Sequence, residues 1–405
     1  MTRLPTPAYD DAAAWTLTQL QHLARDEVAP SPAFRGGQTA ADAALAAFDV
    51  TGYAARRNEV HPPQRRGASR LSPYIRHGLL PLRTVWDHVD GGPRRDVEKF
   101  RDELLWQEYA RHLHARTGGL RRSLRYAVPE RSTGLAAWDD DVERMACLRL
   151  VTDELERDGW LVNQTRMWTA SHWAVRRGLG WRDGDDLLFA HLLDGSRAAN
   201  RLGWQWTAGA GTGKPYGFSR WQVEKRAPGV CDACALRRAC PIQQWPDEEP
   251  LAPVPEVPGV RRDPDPAATA GPRAPEGDGP VDAVWLTAES LGDDDPALVA
   301  HPEASAIFVL DEPLLARLQL SGKRLVFLAE CLADLAARRE LEVHLGDPVE
   351  LLAGRAVATT YAPVPGWRRR AAQIGPAVVH PWPWLVPPHG GSAGSFTAWR
   401  RAARV

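Results

Sequence analysis

Apolar residues recur at helical spacing from about residue 11 to 245, as in Trp15-Thr16-Leu17-Thr18-Gln19-Leu20 and Leu148-Arg149-Leu150-Val151-Thr152-Asp153-Glu154-Leu155. That period predicts an all-helical part over residues 1–245. It then vanishes: residues 246–280 hold ten prolines among Asp, Glu, Ala and Gly, a composition that predicts a semi-extended linker. Beyond it, Ala283-Val284-Trp285-Leu286, Ala306-Ile307-Phe308-Val309-Leu310, Leu341-Glu342-Val343-His344-Leu345 and Ala377-Val378-Val379-His380 read as strands, with a helix running through Leu335. Strands alternating with helices predict a small parallel α/β unit over residues 281–405. The expected fold class is thus α plus α/β.

Charge sharpens this division. The formal net charge of −1 conceals 35 Lys and Arg against 29 Asp and Glu in residues 1–245, and 15 against 22 in residues 246–405. The helical half is the one suited to a phosphate backbone. Only 4 of the 50 basic residues are Lys, so arginine richness reflects overall composition as much as recognition. Pairs such as Arg65-Arg66 and Arg121-Arg122 read first as solvated faces. Seventeen tryptophans exceed what core filling requires and leave indoles for stacking or electron transfer. No 18-residue apolar run is present, and Met1-Thr2-Arg3-Leu4-Pro5 lacks a signal peptide's apolar segment, so a cytoplasmic monomer without membrane contact is expected. There are no internal repeats and no Walker or nicotinamide fingerprint.

Four stretches carry candidate chemistry. In Gly159-Trp160-x-x-Asn163-x-x-Arg166-Met167, a helix starting near Gly159 would set an amide, a guanidinium and a thioether on one face. Asp194, in Asp194-Gly195-Ser196-x-Ala198-Ala199-Asn200, is the natural acceptor for Arg166, a pairing that is structural as readily as functional. Gly67-Ala68-Ser69-Arg70-Leu71-Ser72-Pro73-Tyr74 combines small hydroxyl residues with a helix start, which suits a diphosphate but is equally an ordinary helix cap. Cys231-x-x-Cys234-x-x-x-x-x-Cys240-Pro241 gathers three thiols at ferredoxin-like spacing.

Together these residues resemble the photolyase and cryptochrome family over most of the chain. The resemblance implies that FAD is bound by Tyr53, Arg57, Ser69, Arg70, Leu71, Ser72, Arg166, Asp194, Ser196 and Asn200, with Asn200 beside flavin N5. Phe100-Arg101-Asp102-Glu103-Leu104-Leu105-Trp106-Gln107-Glu108-Tyr109 resembles the family helix whose Glu and Trp contact the lesion, with Gln107 in place of Arg. Members that split cyclobutane pyrimidine dimers carry Asn in the Gly-Trp-x-x-Asn motif, whereas those acting on (6-4) photoproducts place His there. Asn163 and Met167, with Glu103, Trp106 and Trp206, therefore imply the cyclobutane dimer. The implied reaction is light-driven electron transfer from reduced FAD to a dimer flipped out of UV-damaged DNA.

The family's photoreduction path matches Trp204 and Trp181. Its third tryptophan is displaced, with Trp138, Trp168 and Trp173 as alternatives. Cys147 joins Cys231, Cys234 and Cys240 in an arrangement resembling the bacterial iron–sulfur branch, which implies a [4Fe–4S] cluster, with tetrahedral zinc as the alternative. Cys331 reads as a buried helical residue.

The α/β unit resembles the family's Rossmann-like antenna domain, through Val284-Trp285-Leu286 with Asp295-Pro296-Ala297-Leu298, through Gly346-Asp347-Pro348-Val349-Glu350-Leu351-Leu352, and through Phe396-Thr397-Ala398-Trp399-Arg400. That domain ordinarily stands first, so the order here implies a circular permutation. Thr287, Ala288 and Glu289 replace its opening arginines, which leaves binding of an antenna chromophore open. Two other functions remain: a cryptochrome-like blue-light photoreceptor without repair activity, and an iron–sulfur nucleic-acid-binding module without light chemistry.

Overall fold

The structure is a computed structural model that describes residues 2–128, 142, 144–246 and 250–403. Up to Arg226 the described elements after the first strand are helical, the longest being Arg94–Arg116. Residues 283–380 build a sheet of β2 (Ala283–Leu286), β3 (Ser305–Asp311), β4 (Leu341–Gly346), β5 (Val357–Thr360) and β6 (Val378–His380). These five strands are parallel, and β1 (Thr2–Leu4) joins antiparallel at the edge, giving the order β1-β4-β3-β2-β5-β6. The central strands are unbroken apolar runs because helices cover both of their faces; Ala306 to Leu310 are all buried. Two of the helices after the strands start on Asp-Pro pairs: Asp295 caps Ala297 and Leu298, and Asp347 caps Val349. In each, the carboxylate satisfies free amides while Pro sits where no amide is needed.

Two strands escaped the sequence pattern. Val357–Thr360 carries only one large apolar residue. Thr2–Leu4 is three residues long and pairs Thr2 with Leu345, Arg3 with His344 and Leu4 with Val343. Neither is long enough to establish a period. One helix boundary also moves: Gly159 adopts φ 68° and ends the helix Ala146–Asp158, so the next helix starts at Asn163 and not near Gly159. Glycine takes this left-handed conformation without the Cβ clash that other residues suffer.

The helical and α/β parts share one core. Leu4, Trp15, Leu20, Phe34, Tyr74, Phe100 and Tyr109 belong to the same buried cluster as Phe308, Phe327, Leu332 and Trp399. Polar contacts reinforce it: Glu330 and Asp334, on the helix Gly322–Ala336, accept from the backbone amides of Gly36 and Gln38 at 2.6 and 2.7 Å. The proline-rich stretch is tethered along its length. Ala127 donates to the carbonyl of Ala252, Asp263 lies 3.6 Å from Arg116, residues Pro266–Ala270 form a helical turn, and Glu276 bridges to Val379.

Candidate active site

One open cleft collects side chains from five separated stretches of the helical part. Its walls include Tyr53 and Arg57, then Ser69, Arg70 and Ser72, then Glu103 and Trp106, then Asn163, Arg166 and Met167, and finally Asp194, Ser196, Asn200 and Trp204. These are fourteen of the seventeen residues expected to serve the flavin or the lesion. The other three do not line the cleft. Leu71 and Trp181 are fully buried, and Trp206 packs 5.5 Å from the ring of Tyr216.

Local structure explains how each group is aimed. The turn into the short helix Ser72–Arg76 forces Arg70 to φ 60°, a strained conformation for a residue with a side chain. Its guanidinium lies 4.6 Å from the Phe34 ring and donates to the carbonyl of Ala33. Ser72 accepts from the indole of Trp160 at 3.0 Å. Tyr53 is wedged edge-on against Phe100, and burial raises its phenol above the ordinary range. On the long helix, Glu103 is held by Arg57 at 3.2 Å and Lys99 at 2.9 Å. Trp106 leans on Tyr109 and Phe396.

Arg166 donates to Asp194 at 2.7 Å, joining two stretches as the sequence suggests. Only one carboxylate oxygen is used. The other, Oδ1, and the amide nitrogen of Asn200 are buried without a partner. Buried polar atoms are nearly always paired, and two orphans in one cleft mark where a ligand's own donors and acceptors belong. Asn163 donates weakly to the Met167 sulfur at 3.6 Å, so i and i+4 do share a face. Ser196 precedes the helix Arg197–Thr207 without capping it, leaving the helix's first amides open.

The indoles form a second pattern. Trp204 lines the cleft and is 3% exposed. Its ring lies against Gly184, where an added Cβ would meet Trp204 Cη2 at 2.2 Å. Gly184 lies in the first turn of the helix that Trp181 begins. Trp173, in a π-helical turn Ser171–Arg176, donates to the carbonyl of Gly180 at 2.8 Å, next to Trp181. Trp168 instead stacks on Phe218 at 5.9 Å. Trp138 lies outside the described residues.

Cys147, Cys231, Cys234 and Cys240 line one cavity of about 20 Å³. All four are free thiols. Burial, then the charge of the other cysteines, pushes Cys147 up to about 12. Among the described residues no three His, Cys, Asp or Glu converge on a metal-sized point. Among the same residues no helix is long and apolar enough to cross a membrane.

Sequence reasoning missed several groups in the cleft wall. Arg76 and Arg111 line it, and Thr207 adds an unpartnered buried hydroxyl. Arg76 lies inside the Ser-Pro-Tyr-Ile-Arg-His-Gly stretch and could have been flagged as a cation beside a diphosphate loop. Arg111 has no local signal beyond its position eight residues after Glu103, on the same helix face.

The family described as the FAD binding domain of DNA photolyase matches residues 100–227. Among curated proteins, the chain is similar to the deoxyribodipyrimidine photo-lyase of Synechococcus sp., with 29% identity over 192 residues, 43% of this chain and 39% of the relative. It is 31% identical to that of Vibrio cholerae over 38% of this chain and 36% of the relative. It is 30% identical to one from Thermus thermophilus over 56% of this chain and 55% of the relative. The matched stretches thus span about a third to just over half of these relatives' lengths. Among solved structures, the Synechocystis cryptochrome is similar over 49% of this chain and 44% of that one, with 22% identity and a TM-score of 0.44.

Proposed function

We propose, on the premise that residues 100–227 belong to the FAD-binding domain family of DNA photolyases, that the chain is a light-dependent repair enzyme for cyclobutane pyrimidine dimers in DNA. The observation that carries the reading is the convergence on one cleft of the loop at Ser69–Ser72, the Glu103–Trp106 helix, the Asn163–Met167 helix and the Asp194–Trp204 segment. The residues fit a flavin chemically. Arg57, Arg70, Ser69 and Ser72 suit a diphosphate, while the unpartnered Asn200 amide and Asp194 Oδ1 suit a ring that both donates and accepts. When bound and illuminated, reduced FAD supplies the electron that splits the dimer and takes it back afterwards.

The chain's own residues then divide the work. Glu103, oriented by Arg57 and Lys99, accepts a hydrogen bond from an imide N–H of the extruded dimer. Trp106, braced by Tyr109 and Phe396, offers a flat apolar surface. Asn163 and Met167 complete the rim. Extruding the dimer costs a few kcal/mol, and less where pairing is already damaged, so lesion choice begins before contact. Trp204, Trp181 and Trp173 form the path by which electrons move between the cleft and the protein interior behind it.

The reading extends to the rest of the chain. The α/β part is the antenna-type domain placed after the helical part, supported by its strand order and by the contact of Trp399 with Tyr109 at 5.7 Å. The four cysteines hold a metal group, a [4Fe–4S] cluster in the leading reading and zinc in the other. The four thiols line one cavity without converging on a metal-sized point, so either group would require the cysteines to rearrange around it. Iron, sulfide and zinc analysis of anaerobically purified protein separates the two.

The test of function is photorepair of an oligonucleotide bearing one thymine cyclobutane dimer, under blue light and in darkness, with the absorption spectrum recorded. Light-dependent dimer loss with a flavin spectrum is expected. Flavin photoreduction without repair would make the chain a light sensor instead.

A further inference from the structure

The wall of the flavin cleft is not built by the helical part alone. Arg76 lines the cleft and donates through Nε to the carbonyl of Gly195 at 2.7 Å, one residue beyond Asp194. Its Nη1 lies 2.6 Å from Glu289 Oε1, both side chains being nearly buried. The contact lacks good hydrogen-bond geometry, so charge holds the pair. Glu289 comes from the segment leaving β2, where the family's arginines are replaced.

The backbone fixes this approach. Gly78, at φ 72°, lies so close to the Glu289 carbonyl that a Cβ would meet it at 2.2 Å, and a Cβ on Gly292 would meet the Gly78 carbonyl at 2.1 Å. Leu291 donates to the carbonyl of His77 at 3.1 Å. Glu289 therefore does not reach Arg76 as a mobile surface group. It is delivered by two backbone segments in van der Waals register.

A second residue of the α/β part presses on the same turn. Arg324, 7% exposed, donates to the Phe189 carbonyl and stacks on the Phe189 ring at 4.7 Å. Its Nη1 would lie 2.8 Å from a Cβ on Gly195. Asp194-Gly195 is thus gripped by Arg76 on one side and Arg324 on the other, with Glu289 balancing the first.

We propose that Glu289 and Arg324 are positioning residues of the flavin cleft, through which the α/β part sets the placement of Arg76 and of the Asp194–Gly195 turn and the charge around the bound flavin. The proposal rests on the flavin reading above and gives the α/β part a role independent of any pigment.

The experiment uses the flavin-loaded full chain, with Glu289→Gln, Glu289→Asp and Arg324→Met. It measures the flavin midpoint potential at equilibrium and FAD affinity for the apoprotein, with thermal unfolding of each apoprotein alongside. Removing the carboxylate leaves Arg76 uncompensated and favours the reduced, anionic flavin. In E289Q the reduced-to-oxidised ratio at fixed potential should rise roughly tenfold, or about 30 mV for two electrons, and E289D should restore it. Should R324M fail to fold, E289Q alone still decides. An E289Q potential equal to that of the wild type, with or without a lower melting temperature, overturns the proposal and leaves Glu289 as a strut between the two parts. A wild-type chain that binds no FAD would sink the flavin reading itself, and is told apart by that first titration.

Discussion

Replacing Gly184 with Ala tests the packing of Trp204 by the sign of a stability change. In an exposed helix interior, Gly→Ala stabilises by about 1 kcal/mol, because it removes unfolded-state freedom and improves helix propensity. Gly184 lies in the helix Trp181–His191, but its new Cβ would stand 2.2, 2.7 and 3.0 Å from three atoms of the Trp204 six-membered ring. Carbon contacts relax at about 3.5–4.0 Å, so the indole must retreat by more than about 1 Å. Such overpacking costs roughly 1–3 kcal/mol, which exceeds the propensity gain and leaves a net loss of about 1 kcal/mol. Gly203 is the internal control. It lies in the helix Arg197–Thr207 with nothing within 4 Å of an added Cβ, so Gly203→Ala should stabilise the apoprotein by about 1 kcal/mol. Calorimetry of the two apoproteins should therefore shift the melting temperature in opposite directions. On the proposed reading G184A should also slow flavin photoreduction, since the displaced ring is the path's indole in the cleft wall. If G184A raises the melting temperature as G203A does, the contact between the two helices is not as described, and the assignment of Trp204 to the path loses its geometric support.

Three further outcomes are expected. Glu108 is fully buried, accepts from the Leu385 and Val386 amides at 2.6 and 3.1 Å, and is pushed up to about 7 by burial, against the nearby Arg111. Its folded value lies above the unfolded one near 4.5, so its contribution is present below pH 4.5 and lost as pH rises through 7. Over that window the loss approaches about 3 kcal/mol; E108Q should melt increasingly above wild type between pH 5 and 8, and a constant gap would contradict the argument. Gly78→Ala combines a positive φ with a 2.2 Å clash on the Glu289 backbone and should cost about 3 kcal/mol or more; denaturant unfolding within 1 kcal/mol of wild type would mean that the turn is loose. Trp173→Phe should keep FAD bound while slowing photoreduction severalfold, read by transient absorption, whereas Trp168→Phe should leave that rate near wild type.

How much of this was legible in the sequence depends on the range of the forces involved. The helical, proline-rich and α/β stretches show in periodicity because burial imposes it locally, and Asp-Pro helix starts are written in two letters. The pairing of Arg166 with Asp194 could be proposed because charge complementarity narrows the choice of partner. Thr2–Leu4 could not, since its only justification is the free edge of β4, more than 330 residues away. Arg324 and Glu289 were equally silent. Each is an ordinary charged residue until tertiary contact sets Arg324 beside Gly195 and Glu289 beside Arg76, and no pattern along the chain encodes those meetings. The start of the helix at Asn163 was misplaced because Gly159 reads as a permissive residue until its positive φ shows it to be a terminator.

The pairing of β1 with β4 also constrains the order of events during synthesis. Thr2–Leu4 leaves the ribosome more than 330 residues before its partner Leu341–Gly346. Until then the first helices lack Phe327 and Leu332, with which they share a core. The helical part therefore cannot mature as a finished unit that later acquires a sheet. Contacts this distant along the chain slow folding and keep apolar surface uncovered for longer. Thr2–Leu4 must be held in reserve until Leu341–Gly346 arrives.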